Sequence, residues 1–316
     1  MMNLGWAMLS TVNANRFINM GAIPLAIVAY AVFLWIDDHN VQRQPWYHEI
    51  KVHIQNIKNI GRVDGLVFGG SNAVYSLSAE SLNYFTGLTW YNASVAAETD
   101  NTKRHKNFIR DLSARIDRTK VRYIVYSSIS PSVSGRIAKS KADDSRKYIQ
   151  DLAIKPHQSV LQYIRHRNWQ WQSPPRRNSY GDLVFDEMVN CDFKENHAAR
   201  EPETVREDID IAVDFLVDMT TFFTSVFPNA SIQIVSPSFY YGGLSFDDAI
   251  YKQALRTKFY GFLLEKYSTK NKVKIIFQPP FPSIAQVCDT VSHANEDGRL
   301  WRTRNLIELM SEAITR

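Results

Sequence analysis

The sequence predicts an α/β domain, a central parallel sheet with helices on both faces, behind one apolar segment long enough to cross a membrane. Three observations carry this expectation. From about residue 60 to the C-terminus, short apolar runs alternate with stretches of helical spacing, as in strands joined by helical crossovers. Residues 17–36 read FINMGAIPLAIVAYAVFLWI without a charge. The 316 residues are 45% hydrophobic and 22% charged, a balance that supports a globular core and excludes disordered and fibrous classes.

The apolar segment comes first in the chain. At about 1.5 Å per residue, a helix over 17–36 spans a hydrocarbon core roughly 30 Å thick. Arg16 stands before it and Asp37 and Asp38 follow it, so the positive-inside rule places the N-terminus in the cytoplasm and the rest outside. Ala29-Tyr30-Ala31 has the small-x-small form of a cleavage site, but Val-Phe-Leu-Trp-Ile follows, a poor start for a mature soluble protein. The expectation is an uncleaved single-pass anchor in the inner membrane, residues 1–40 forming stub, anchor and start of tether. Residues 41–316 form the periplasmic or extracytoplasmic domain.

Within that domain, Ile50, Ile54 and Ile57 predict a helix over 47–60. Residues 63–68 form a short strand that ends in Gly69-Gly70. A helix is expected over 72–85, a strand over 88–91, a charged helix over 102–118 and a third strand over 121–126. The rhythm breaks from 127 to about 200, which reads as an insertion. It resumes with helix 203–227, strand 231–235, helix 246–267, strand 272–277 and a last helix over 295–314. In such a sheet, ligands lie beyond the carboxyl ends of the strands near the switch in strand order.

The end of the first strand and the following helix read GLVFGGSNAVYSLSAESL. Glycines there permit a tight turn and close approach of a substrate. Ser71 falls at the carboxyl edge of the sheet, where N–H groups of the helix face a developing oxyanion. The same turn also suits phosphate binding or plain helix capping. The far end of the chain reads QVCDTVSHANEDGRLWRTRNLIELM and carries Asp289 and His293 in a loop after the last strand. A serine nucleophile needs such a base, and the base needs an orienting acceptor.

These two blocks resemble those of the SGNH (GDSL-type) hydrolases and acyltransferases. Gly69-Gly70-Ser71-Asn72 is similar to the first block, and Asp289, His293, Asn295 and Gly298 to the last; Asn92-Ala93-Ser94 falls at the second. The likeness covers about residues 60–316. It implies a flavodoxin-like three-layer sandwich, Ser71 as nucleophile, His293 as base and Asp289 as its orienter. It also implies oxyanion or substrate contacts from Gly70, Asn72, Asn92 and Ser94. The sequence departs from the family pattern in four places. Gly70 stands where Asp is frequent, and three residues rather than two separate Asp289 from His293. Ser94 replaces a glycine, and Ser127-Ser128-Ile129-Ser130 replaces the third-block asparagine. With the apolar segment, the pattern is most similar to extracytoplasmic SGNH-like proteins of polysaccharide and teichoic-acid acylation. Those work beside a multi-span membrane acyltransferase, so the resemblance implies such a partner.

Other features bound the reading. The net charge of +5 is spread along the chain, which is no footprint of nucleic-acid binding. His105, His157, His166 and His197 lack metal-ligand spacing, so neither metal nor cofactor is expected. Cys191 and Cys288 can pair in an oxidising compartment, although sequence alone does not bring them together. Arg165, Arg167, Trp169, Trp171, Arg176 and Arg177, with Pro174 and Pro175, suit a packed loop or a glycan-binding one. Tyr240, Tyr241, Gly242 and Gly243 suit a cleft wall or a turn. The leading expectation is serine-dependent transfer of an acyl group, acetyl above all, to a cell-surface polysaccharide. An esterase with the same site and a non-catalytic scaffold that binds glycan or a membrane acyltransferase remain the alternatives.

Overall fold

The structure, a computed structural model, describes residues 45–95, 102–127, 176–185, 191, 206–242, 246–267, 272–289 and 292–315. Contacts divide the chain into two compact units, residues 1–48 with 149–172 and residues 49–148 with 173–316. All described residues but 45–48 belong to the second. The apolar segment 17–36, the expected boundary at residue 40 and most of the insertion lie outside the described residues. So do Trp169, Trp171, His157, His166, His197 and Gly243. Among the described residues no helix is long and apolar enough to cross a membrane.

The chain builds α1 (Pro45–Ile57), β1 (Gly65–Phe68), α2 (Ser71–Ser76), α3 (Ala79–Thr86) and β2 (Trp90–Asn92). It continues with α4 (Thr102–Ser113), β3 (Tyr123–Tyr126), α5 (Arg206–Val226) and β4 (Ser231–Val235), then α6 (Phe246–Tyr267), β5 (Val273–Ile276) and α7 (Glu296–Thr315). The strands form one five-stranded sheet in the order β2-β1-β3-β4-β5, and every pairing is parallel. This is the strand order of the flavodoxin-like doubly wound fold, as expected.

Successive side chains on each strand alternate between two buried clusters. Leu66, Phe68, Ile124, Tyr126, Ile232 and Ile234 pack under Phe108, Leu112, Phe215, Phe223 and Phe259 of α4, α5 and α6. Val67, Val125, Val235 and Ile276 face Ala73, Leu82, Leu306 and Met310 of α2, α3 and α7. Both faces of the sheet are therefore covered. That is why β1 reads as an unbroken apolar run rather than an alternating one.

The expected helix over 72–85 is instead two short helices. Ser78 lies between them with extended backbone, and its Oγ accepts the Ser81 N–H at 3.0 Å. The Asp182 carboxylate takes the Ala79 and Glu80 N–H groups at 2.7 and 2.9 Å. These caps start a second helix where apolar periodicity alone continues the first.

The sheet order changes direction between β1 and β3. Gly69 lies at that point with φ +156°, and a Cβ there would overlap the Ser127 carbonyl. The ends of β1 and β3 touch there, the Ser127 N–H donating to the Phe68 carbonyl at 2.9 Å. Ser71 thus emerges at the switch point, where this fold class binds its ligands.

Behind β2, His53 of α1 is 0% exposed. Its Nε2 donates to the Ser94 carbonyl at 3.1 Å, and Nδ1 accepts from the Tyr91 hydroxyl at 2.9 Å. The Tyr91 hydroxyl also donates to the His53 carbonyl at 3.3 Å, so burial rather than these contacts selects the neutral ring, in which Nδ1 is the acceptor. Burial first, then the Arg177 charge, holds its pKa well below the ordinary 6.5. The unfolded chain then binds the proton more readily, so stability contributed by neutral His53 is complete above pH 6.5 and declines as the pH falls below it. Urea denaturation at a series of pH values tests this. The wild type is expected to lose stability as the pH falls below about 6.5, and His53→Gln to show a flatter slope over the same range. Equal slopes would assign the loss to other groups.

Candidate active site

Ser71 opens α2 and is partly exposed. Gly70 is the N-cap, and its carbonyl accepts the Ala73 and Val74 N–H groups at 2.9 and 3.1 Å. Its own backbone is ordinary extended chain, φ −83°. The turn's requirement for glycine therefore falls on Gly69, not on Gly70. Helix geometry leaves the Ser71 N–H outside the intrahelical ladder and pointing out of the helix end.

His293 reaches this helix from the opposite end of the chain. Residues 287–289 and 292–294 pair as the two arms of a small hairpin: Val287 and Ala294 make an antiparallel bridge, and the Cys288 N–H donates to the His293 carbonyl at 2.7 Å. The Ser76 hydroxyl docks the hairpin on α2, donating to the Ser292 carbonyl and accepting from the Ala294 N–H, both at 3.3 Å. The His293 ring lies flat on the Tyr75 ring, with centroids 4.3 Å apart and planes at 4°. Tyr75 is four residues beyond Ser71, so the two share one side of the helix.

The structure also brings Asp289 to His293. Its Oδ1 is 2.8 Å from Nδ1, with side-chain exposures of 39% for Asp289 and 15% for His293. The contact forms despite the extra residue in the spacing. A proton on Nδ1 facing the carboxylate leaves Nε2 as the basic nitrogen, the tautomer a general base needs. Cys288, the residue before Asp289, is disulfide-bonded to Cys191. Asn295 caps α7 through the Gly298 N–H at 3.0 Å and donates to the Ala285 carbonyl at 2.6 Å. A Cβ on Gly298 would overlap the Gln286 carbonyl. Asn295 and Gly298 therefore close the hairpin's base.

Asn92 and Ser94, expected to face substrate, take structural positions instead. Both are fully buried. Asn92 donates to the Leu77 carbonyl and to Asp182, and accepts the Ser94 N–H at 3.1 Å. Ala93 and Val95 donate to the Val67 and Gly69 carbonyls, and Asn92 N–H to the Tyr180 carbonyl. The N–H groups of residues 92–95 are all engaged within the fold, so the Ser94 N–H is not a free oxyanion donor. Asn72 does stand at the site, its Oδ1 accepting from the Ser127 hydroxyl at 3.3 Å.

Three residues of consequence carried no motif. Asp182, 1% exposed, joins the insertion to the domain by accepting from Ala79, Glu80, Ser78 and Asn92. Arg302, 0% exposed, donates to Gln278 Oε1, the Asn72 carbonyl, Ser127 Oγ and the Ser236 carbonyl at 2.6–3.1 Å. It thereby ties the ends of β3, β4 and β5 to the α2 backbone next to Ser71. Tyr75 is the third. Burial, then Asp289 and Glu49, raise its pKa against the opposing pull of Arg177. A sequence signal existed for Arg302, which falls four residues before Leu306 on the buried stripe of the last helix. Tyr240 packs beside Val287, Ala294 and Phe281 at the hairpin, and Tyr241 stacks near Phe239. Arg177 forms a buried ion pair with Glu49. Among the described residues there is no cluster of His, Cys, Asp and Glu able to hold a metal.

No protein-family model and no curated protein matches the sequence. Among solved structures the chain is similar to an acetyl xylan esterase, Est2A, from the rumen bacterium Butyrivibrio proteoclasticus. The identity is 12% and the TM-score 0.42, over 80% of this chain and 64% of that one. The chain thus spans less than two thirds of that protein's length. Likeness at this level decides neither fold nor activity, which rest on the geometry above.

Asp182→Ala is expected to destabilise the domain by about 2–4 kcal/mol, since it leaves two helix-start N–H groups and two buried side chains without their acceptor. Chemical denaturation checks this. A change below about 0.5 kcal/mol, ordinary for a neutral surface substitution, would deny Asp182 that role.

Proposed function

We propose that this protein is a serine-dependent enzyme that transfers an acyl group, most simply acetyl, to or from a polysaccharide. The observation that carries the reading is the Asp289–His293 pair at 2.8 Å, docked on the helix that Ser71 opens. In this mechanism Ser71 Oγ attacks the acyl carbonyl while His293 Nε2 takes its proton. Asp289 stabilises the imidazolium that results. The Ser71 N–H supports the oxyanion, in a site without the third-block asparagine. Collapse expels the leaving alkoxide, which receives the proton from His293, and leaves an acyl ester on Ser71. The second half repeats the sequence with an acceptor hydroxyl. Water completes an esterase cycle; a sugar hydroxyl completes a transfer.

Location follows the same reading. The uncharged stretch 17–36 supports a single-pass anchor with the domain on the extracytoplasmic side. The Cys191–Cys288 bond beside Asp289 favours an oxidising compartment. There the acceptor is a cell-surface glycan, and a multi-span membrane acyltransferase is the natural acyl supplier.

One observation favours a second reading, a non-catalytic scaffold that binds glycan or a membrane partner. Ser127, standing where the third-block asparagine would be, is engaged by Arg302, and the Ser94 N–H is engaged by Asn92. Both sites of a fuller oxyanion hole are thus occupied by the fold.

Turnover of p-nitrophenyl acetate, with acetate release compared against acetylated-glycan formation, tests the proposal. Ser71→Ala is expected to lower turnover by about four orders of magnitude with its melting temperature unchanged. Unaltered turnover in that variant would defeat the catalytic reading, and fluorophosphonate labelling of Ser71 would defeat the scaffold.

A further inference from the structure

We infer that Tyr75 is the positioning residue of His293: its ring face sets the plane in which the imidazole presents Nε2 to Ser71. The inference rests on the serine-enzyme reading and deepens it. A hydrogen bond from Nδ1 to Asp289 fixes one edge of the imidazole, but the ring still swivels about that bond. Parallel stacking on Tyr75 at 4.3 Å and 4° removes the swivel. Ser76 meanwhile holds the backbone on both sides, at Ser292 and Ala294. Ser71, Tyr75 and Ser76 all lie on the six-residue helix α2. Nucleophile and base are therefore both referenced to α2, one by belonging to it and the other by packing on it.

Tyr75 has a second ring neighbour. The Phe185 ring meets it edge-on with centroids 6.3 Å apart. The Arg299 guanidinium lies 4.6 Å over Phe185 and donates to the Leu183 carbonyl at 2.6 Å. The described part of the insertion, through Phe185, thus braces the tyrosine that braces the base. The electron-rich face of the tyrosine also favours the imidazolium formed when His293 takes the serine proton. A flat ring is what this role requires; the hydroxyl is dispensable.

Steady-state kinetics with p-nitrophenyl acetate on the full chain tests this, with Tyr75→Leu, Tyr75→Phe and Ser71→Ala compared. Tyr75→Leu is expected to lower kcat about 10- to 100-fold, the usual cost of a misplaced catalytic group, while KM stays within about twofold. Tyr75→Phe keeps the ring face and is expected to remain within about threefold of wild type in kcat. Wild-type kcat in Tyr75→Leu overturns the inference. So does a Tyr75→Phe variant as impaired as Ser71→Ala, which decides the matter even where Tyr75→Leu fails to fold. If Ser71→Ala is inactive while Tyr75→Leu is not, the positioning role alone falls. If Ser71→Ala retains turnover, the enzyme reading falls and this inference with it.

Discussion

One side-chain hydroxyl, that of Ser76, joins the two ends of the domain where chemistry is expected. It donates to Ser292 and accepts from Ala294, clasping the hairpin on either side of His293. Each bond is individually modest, about 1 kcal/mol net. The hydroxyl is buried, however, and leaving either partner unmade costs more than making it gains. Everything proposed for Ser71 and His293 depends on this clasp, because more than two hundred residues separate them in sequence. The disulfide at Cys288 and the cap at Asn295 narrow the hairpin's freedom further.

Beneath the clasp lie two buried polar networks built on opposite charges. Arg302 gathers the carboxyl ends of three strands, β3, β4 and β5, and the backbone of Asn72. Asp182 gathers the start of α3 and the side chain of Asn92. Burying an ion is costly unless hydrogen bonds replace its hydration, and each charge here meets several groups of the fold. Such networks tolerate truncation poorly, since every member left behind is buried. They also explain why Asn92 and Ser94 have structural duties. The edge of the sheet that the resemblance assigned to oxyanion binding is used to fasten α3 and the insertion.

Much of the sheet was legible from periodicity alone. Helix Phe246–Tyr267 and strand Ser231–Val235 match the expected bounds to the residue, because apolar runs of two periods specify them locally. The break at Ser78 was not legible, since it depends on Asp182, more than a hundred residues away. The contact of Asp289 with His293 was expected from the resemblance, but their spacing gave no view of the hairpin that permits it. Tyr75 and Arg302 carried no motif at all. Their roles arise from what the fold sets against them; the sequence shows only that Arg302 falls on the apolar stripe of the last helix.

The most direct measurement of the central claim is a crystal structure of the domain with a phosphonate bound covalently in the cleft. The account predicts phosphorus attached to Ser71 Oγ, with His293 Nε2 within about 3 Å of the adduct's oxygen and the ring still flat on Tyr75. An adduct on another residue, or His293 turned away from a modified Ser71 with the hairpin lifted off α2, would contradict it.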